Sequence, residues 1–511
     1  VNLTPEQSLI HDHVIAPVSP TNKLTLVSAV AGSGKTTLLV AIAATLSRQE
    51  RNFSGLYLAY NKSVATEAQR KFPSSINCCT THSLAYTPTV VGLKLKFGVF
   101  NYKSITEPIT YDHKVYLLAC IREFCLSSYL DFEAFSKAND IPDDIVKLAA
   151  KYMSKMHDKK IECSHEFYLK LFHIMLASGD ITYAPFDLIM LDEAGDVNEV
   201  TLEIFKLLPA VKKIMVGDPY QNIYSFNHTI NCFEVMKEHG TSLPMTQSFR
   251  VNIDIAKRIE RFCRHYLDPD MSFQGIDNTN KTIKTRAYIA RTNAALIGRM
   301  IELNQLGVQY GLTRTPAQIF EQPLSLCNLK YQGFIPDPHF RTFQEDINDY
   351  FENKELRSRY STPLMYLKDE YPNDVALQQT IKLITRYGTK NIINCYEDAR
   401  KHAKTSQSYT LGTAHSTKGL EFDEVTIAED LNTGLENIVQ ELSSEITADC
   451  LPEAVRTELN LYYVACSRAK KSLINADYLD VTLRDLLATR FKHMSTHFAD
   501  HLEREATNPN Q

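Results

Sequence analysis

Ala29-Val-Ala-Gly-Ser-Gly-Lys-Thr36 lies between a short apolar run at 24–30 and a stretch of helical character at 35–48. A buried strand, a glycine turn and a helix in that order form half of a strand-crossover-strand unit, which commits the neighbourhood to a parallel sheet. Working outward, 55–60 reads as a second strand, 62–72 as a helix and 76–80 as a third strand. The rhythm lapses over 86–184, where the apolar spacing is mostly helical. It resumes with strands at 187–191 and 213–216. A second α/β stretch begins near Ser248, with a helix at 253–265 and a strand at 287–290. A polar segment at 312–405 interrupts it, and it returns with strands at 409–414 and 424–428 and a helix at 457–466. The predicted fold class is α/β, with two parallel-sheet cores that each carry a mainly helical insertion.

Bulk properties set limits without choosing a function. At 511 residues the chain can bury several cores, and 44% hydrophobic with 23% charged residues suits a globular protein. No apolar run approaches the roughly 18 residues needed to span a bilayer, and 1–10 lacks the layout of a secretory signal, so no membrane role is expected. The eleven cysteines are scattered and none has zinc-ligand spacing; free thiols at this density point to a reducing compartment, cytoplasmic or nuclear. A net charge of −5 argues against a passive nucleic-acid coat, but not against a local groove that grips a few nucleotides.

The opening motif follows the phosphate-binding loop pattern, with Ala29 in place of its usual first glycine. Gly32, Ser33 and Gly34 let backbone N–H groups turn inward around phosphate oxygens, and the following helix N-terminus adds a favourable dipole. Lys35 is placed to reach the β- and γ-phosphates and Thr36 to ligate Mg²⁺. The complementary element is a strand that ends in acid, and Leu188-Ile-Met-Leu-Asp-Glu193 supplies it. Asp192 is the expected metal carboxylate and Glu193 the base that activates water against the γ-phosphate of ATP.

Further motifs in this order carry a more specific likeness. Asp192-Glu-Ala-Gly-Asp196 resembles the DEAQD box of UvrD-like superfamily 1 helicases of the Rep and PcrA type. Leu3-Thr-Pro-Glu-Gln7 resembles their Q motif, Tyr57-Leu-Ala-Tyr-Asn-Lys-Ser63 motif Ia and Thr80-Thr-His-Ser-Leu-Ala-Tyr86 motif Ib. Val216-Gly-Asp-Pro-Tyr-Gln-Asn-Ile-Tyr-Ser-Phe226 is similar to motif III, Gln247-Ser-Phe-Arg250 to motif IV and Ala290-Arg-Thr-Asn293 to motif IVa. Gly412-Thr-Ala-His-Ser-Thr-Lys-Gly-Leu-Glu-Phe-Asp423 resembles motif V, and Glu458 with Tyr462-Tyr-Val-Ala-Cys-Ser-Arg-Ala-Lys470 resembles motif VI. Tyr60-Asn-Lys-Ser63, Phe72-Pro-Ser and Ser467-Arg-Ala-Lys-Lys471 extend the likeness to the helicase part of the F-box DNA helicases. No F-box region precedes the Q motif in these residues, so a ubiquitin-ligase partnership is not implied.

The resemblance implies two RecA-like domains: the first from 1–85 and 185–247 with insertion 86–184, the second from 248–311 and 406–490 with insertion 312–405, and a tail at 491–511. It implies an ATP-dependent DNA helicase or translocase moving 3′→5′ on single-stranded DNA and at single/double-strand junctions, in replication, repair or recombination, with a replication or recombination protein as partner. By family position Gln7 reads adenine, Thr37 stands where an arginine usually walls the base, Phe249 stacks on it and Glu421 meets the ribose. Gln221, Arg250 and Arg468 address the γ-phosphate. Tyr60, His82, Tyr224, Phe226 and His415 are implied base contacts, and Thr81 and Thr413 phosphate contacts. Stacking on such rings is worth on the order of 1–3 kcal/mol per base.

Two departures shape expectations. Gly195 removes the amide that links nucleotide and DNA sites in the family, which puts coupling in doubt. The segment 312–405 is short for that family, so unwinding without a partner is expected to be weak. A translocase that strips proteins from single strands, and a nucleotide-gated binding module without turnover, stay open as alternatives.

Overall fold

The computed structural model describes residues 2–223, 229–277, 282–332, 348, 350–372, 374–402, 408–441 and 451–480. The chain divides into two compact units, Val1–Phe249 and Arg250–Gln511.

In the first unit, β1 (Leu24–Ala29), β2 (Gly55–Ala59), β3 (Ile76–Thr80), β4 (Phe186–Leu191), β5 (Ala210–Gly217) and β6 (Thr241–Met245) form a parallel sheet in the order β3-β2-β4-β5-β1-β6. These strands are apolar on both faces because both faces are covered. Val27, Tyr57, Met190 and Val216 pack with Leu38 and Ile42 of the helix Lys35–Gln49. On the opposite face Leu26, Leu58, Ile189 and Met215 share a core with Ile121, Phe124 and Phe172. Those last residues belong to helices Tyr111–Leu126 and His165–Ser178 of the segment inserted between β3 and β4. The insertion is therefore built onto the sheet rather than around a core of its own.

The second unit starts within a two-stranded sheet of β7 (Gln247–Asn252) and β8 (Gln274–Ile276). Its main sheet is again parallel: β9 (Arg286–Ala290), β10 (Gly311–Leu312), β11 (Tyr409–Thr413), β12 (Phe422–Ile427) and β13 (Ala469–Ile474), in the order β10-β11-β9-β12-β13. Helices Pro316–Gln332, Val375–Tyr387 and Thr389–His402 pack Phe320, Leu377 and Ile392 against Ile297 and Met300 of the helix Asn293–Gln305. Both parts of the fold-class expectation are met: parallel α/β sheets and mainly helical insertions.

Asp423 fastens β12 to the start of β9. Its carboxylate accepts the N–H groups of Lys284 (2.8 Å) and Thr285 (3.1 Å) and pairs with Lys471 at 3.1 Å. Burial works against its charge, but these donors draw its pKa down to about 2. A depressed folded-state pKa stabilises fully above the unfolded value near 4, and the contribution disappears as pH falls toward 2. Asp423→Asn is therefore expected to cost roughly 2 kcal/mol at neutral pH, with the gap to the parent protein closing between about pH 4 and pH 2. Chemical unfolding measured across that range checks it; a gap independent of pH would contradict it.

Candidate active site

The C-terminal ends of β1, β4 and β5 converge, the edge at which open α/β sheets bind ligands. After β1 the chain turns through Gly32 (φ 76°) and Gly34 (φ 81°), both left-handed, before the helix Lys35–Gln49 begins. A Cβ on Gly34 would lie 2.9 Å from Gln7 Nε2 and 3.7 Å from the Phe249 ring, and with φ 81° any other residue in this turn would be strained. Ser33 Oγ is buried without a hydrogen-bond partner among the described residues. A glycine cradle, an unsatisfied hydroxyl and a helix N-terminus together fit a polyphosphate.

Lys35 Nζ donates to Glu193 Oε2 at 2.8 Å. Burial alone would lower the Lys35 pKa, yet the charges of Glu193, Asp192 and Asp218 raise it, so the ammonium stays charged. Asp192 is 4% exposed. Its pKa is raised by burial and then by the neighbouring Glu193, against the pull of Lys35. A buried carboxylate beside another one, with a single lysine between them, fits a divalent cation. Thr36 is half-buried and Thr37 exposed on the first turn of the helix.

Glu193 itself sits at φ 50°, ψ 44°, a left-handed conformation that costs a non-glycine residue about 1–2 kcal/mol. From this conformation its carboxylate meets Lys35. Gln221 is buried in the 3₁₀ turn Pro219–Gln221, and its amide donates to Asp218 Oδ2 at 2.7 Å. Asp218 thus links Gln221 to the electrostatic environment of Lys35.

Gln7 reaches the phosphate loop, but its amide is committed within the protein. Nε2 donates to the Ser33 carbonyl (3.0 Å) and Oε1 accepts from Thr4 N–H (3.1 Å), with the residue 3% exposed. It braces the loop against the helix Pro5–Ile15. Phe249 is half-exposed and held by its N–H on the Gly32 carbonyl at 2.9 Å.

In the second unit, Arg250 Nε and Glu421 Oε2 form an ion pair at 2.7 Å, so the two residues given separate nucleotide roles in the sequence reading meet each other. Arg468 is 1% exposed and bonds the carbonyls of Val464 (2.9 Å) and Leu420 (3.4 Å) and Ser467 Oγ (2.9 Å). Arg291 and Glu458, from motifs IVa and VI, form a two-pronged pair at 2.7 and 2.5 Å that ties the helix Glu453–Cys466 to the end of β9.

Among the expected nucleic-acid contacts, Tyr60 is 46% exposed at the end of β2. His82 lies in the helix Thr81–Tyr86 against His165 (5.7 Å) and Tyr168 (5.6 Å). Burial first, then His165, lower its pKa to about 4, so its ring is neutral at physiological pH. Thr81 is buried. Thr413 spends its hydroxyl capping the helix Ala414–Thr417 through Ser416 N–H (3.3 Å), with His415 half-buried in that turn. Tyr224 and Phe226 lie outside the described residues.

Three features had no role in the sequence reading. Tyr57 and Asp218 stand inside quoted motifs, but only the sheet register shows what they touch. Phe97, half-exposed between Tyr86 (5.9 Å) and His165 (4.7 Å), joins the rings around His82 from the insertion.

Comparison with known proteins gives this geometry a lineage. The family described as AAA domain matches residues 15–227, and that described as UvrD-like helicase C-terminal domain matches 338–476. F-box DNA helicase 1 of Gallus gallus is 24% identical over 544 residues, covering 96% of this chain and 50% of that protein. F-box DNA helicase protein 1 of Schizosaccharomyces pombe is 22% identical over 542 residues, covering 93% of this chain and 57% of its own length. The chain thus spans about half the length of these curated relatives. No helix among the described residues is long and apolar enough to cross a membrane. Two parallel α/β sheets, a phosphate loop facing an Asp-Glu strand end, and matches to both halves of the helicase fold together support a UvrD-like superfamily 1 helicase.

Proposed function

We propose that this chain is an ATP-driven motor that moves 3′→5′ along single-stranded DNA and separates duplex at junctions. The observation that carries the proposal is the Lys35–Glu193 pair at 2.8 Å beside buried Asp192, at the mouth of a glycine cradle. Phosphoryl transfer asks a protein to position water and neutralise charge rather than to form covalent bonds. In this reading Lys35 transfers its contact from Glu193 to the β- and γ-phosphates of ATP. Glu193, relieved of its cation, accepts the proton of the attacking water. Thr36 and Asp192 would hold Mg²⁺, which would supply positive charge against the phosphates. Gln221 senses the γ-phosphate through the Asp218 turn, and Arg250 and Arg468 neutralise charge that develops on the transferred group.

Names of the relatives support DNA as the track, since both are called DNA helicases. Tyr60 and the rings around His82 supply faces suited to stacking on bases, and a neutral His82 makes that contact insensitive to pH near 7. Reactions in replication, repair or recombination fit such a motor, and a reducing compartment fits the free cysteines among the described residues.

The test is ATP turnover with and without single-stranded DNA, run beside unwinding of duplexes with a 3′ or a 5′ tail. Strong stimulation by single strands and unwinding only from the 3′ tail are expected. Turnover indifferent to DNA would overturn the motor, and unwinding from the 5′ tail would reverse its polarity.

A further inference from the structure

Beneath the proposed metal carboxylate lies a side chain that the reaction scheme above does not use. Tyr57, on β2, is fully buried, and its phenol donates a hydrogen bond to Asp192 Oδ2. Register puts the two together: β2 and β4 pair with Tyr57 opposite Met190, and Asp192 N–H bonds the Leu58 carbonyl at 3.1 Å. The other oxygen, Asp192 Oδ1, accepts the N–H of Glu193 at 2.9 Å. One donor on each oxygen and a backbone tether fix the plane of the carboxylate. The phenol is itself held, because its ring packs on Phe72 with centroids 4.8 Å apart.

The choice of donor has a chemical consequence. A buried carboxylate must be hydrogen-bonded to stay ionised and oriented, and a lysine or arginine would do this at the expense of the charge that attracts a cation. A phenol hydroxyl orients the acid and leaves its negative charge intact. It also keeps its place whichever group Lys35 contacts, since it approaches from inside the sheet.

We propose that Tyr57 is a positioning residue for divalent-cation binding at Asp192, so that the affinity of the nucleotide site for Mg²⁺ depends on the phenol oxygen. This rests on the reading of Asp192 as the metal carboxylate. Partners one shell away from a metal typically contribute 10–100-fold to its affinity. Tyr57→Phe keeps the ring in the core and deletes only the donor.

Binding of a fluorescent ATP analogue to the full chain, titrated with Mg²⁺, tests it without requiring turnover. In the parent protein Mg²⁺ is expected to tighten nucleotide binding, and in Asp192→Asn most of that dependence is lost. In Tyr57→Phe the Mg²⁺ concentration giving half the effect is expected to rise about tenfold, with metal-free nucleotide affinity unchanged. Phe72→Leu loosens the wall behind the ring but keeps the phenol, and its Mg²⁺ requirement should stay near the parent value. An unshifted Tyr57→Phe beside an Asp192→Asn that has lost its Mg²⁺ dependence overturns the role of Tyr57 alone. Equal shifts in Tyr57→Phe and Phe72→Leu assign the effect to packing and also overturn it. If Asp192→Asn keeps the full Mg²⁺ response, the reading of the site itself fails.

Discussion

Glu193→Gln is expected to lower ATP turnover by about three orders of magnitude while tightening nucleotide binding. The two effects have one cause. Glu193 holds Lys35 at 2.8 Å and raises its pKa, and it adds negative charge at the mouth of a cradle built for phosphates. An amide of the same shape cannot accept a proton from water, so general-base catalysis, worth about 10²–10⁴-fold, is lost. The amide also lacks the charge that competes with a triphosphate for Lys35 and repels it. Lys35→Ala should abolish turnover to a similar extent but weaken nucleotide binding, because it removes the cation and leaves two carboxylates facing the phosphates. Opposite signs on affinity with similar losses of rate are the signature, read by nucleotide titration beside steady-state turnover. Glu193→Gln retaining a tenth or more of the parent rate would remove Glu193 from the role of base.

Much of this site was legible because its signals are local. Gly32, Gly34 and Lys35 stand in one turn, and Leu188–Leu191 is an apolar run because β4 is covered on both faces. The strands that escaped sequence reading are edge strands. β6 contains Pro244, which an interior strand would not tolerate, and β13 begins with Ala469, Lys470 and Lys471, charges that suit an edge. Contacts between distant segments were not legible at all. Tyr57 meets Asp192, and Arg250 meets Glu421, only once strands and turns far apart in sequence are placed in space. Resemblance placed Gln7 and Thr413 in motifs, but it could not show that their polar atoms serve the loop and the helix cap beside them.

Gly195→Gln restores the family residue at the fourth position of the acidic box, and it is expected to damage the protein rather than improve its coupling. From sequence, Gly195 looked like a lost amide. In the structure it is a point of close backbone approach between the turns that follow β4 and β5. An ideal Cβ on Gly195 would lie 2.6 Å from the Asp218 carbonyl oxygen, and one on Gly217 would lie 2.8 Å from Ala194 N. Neither obstacle is a flexible side-chain end, so the Asp218 turn itself has to move. Asp218 carries the hydrogen bond to Gln221 and contributes to the charge around Lys35, so its displacement reaches the phosphate site directly. Overpacking of this kind typically costs about 1–3 kcal/mol. Gly195→Gln is thus expected to lower the melting temperature and to reduce DNA-stimulated turnover severalfold or more. Gly195→Ala should act in the same direction, because the first carbon alone already collides. Melting curves and turnover on the same preparations decide the matter. An alanine variant as stable and active as the parent would show that the two turns can part freely, and a glutamine variant with stronger stimulation by DNA would return Gly195 to the status of a missing side chain.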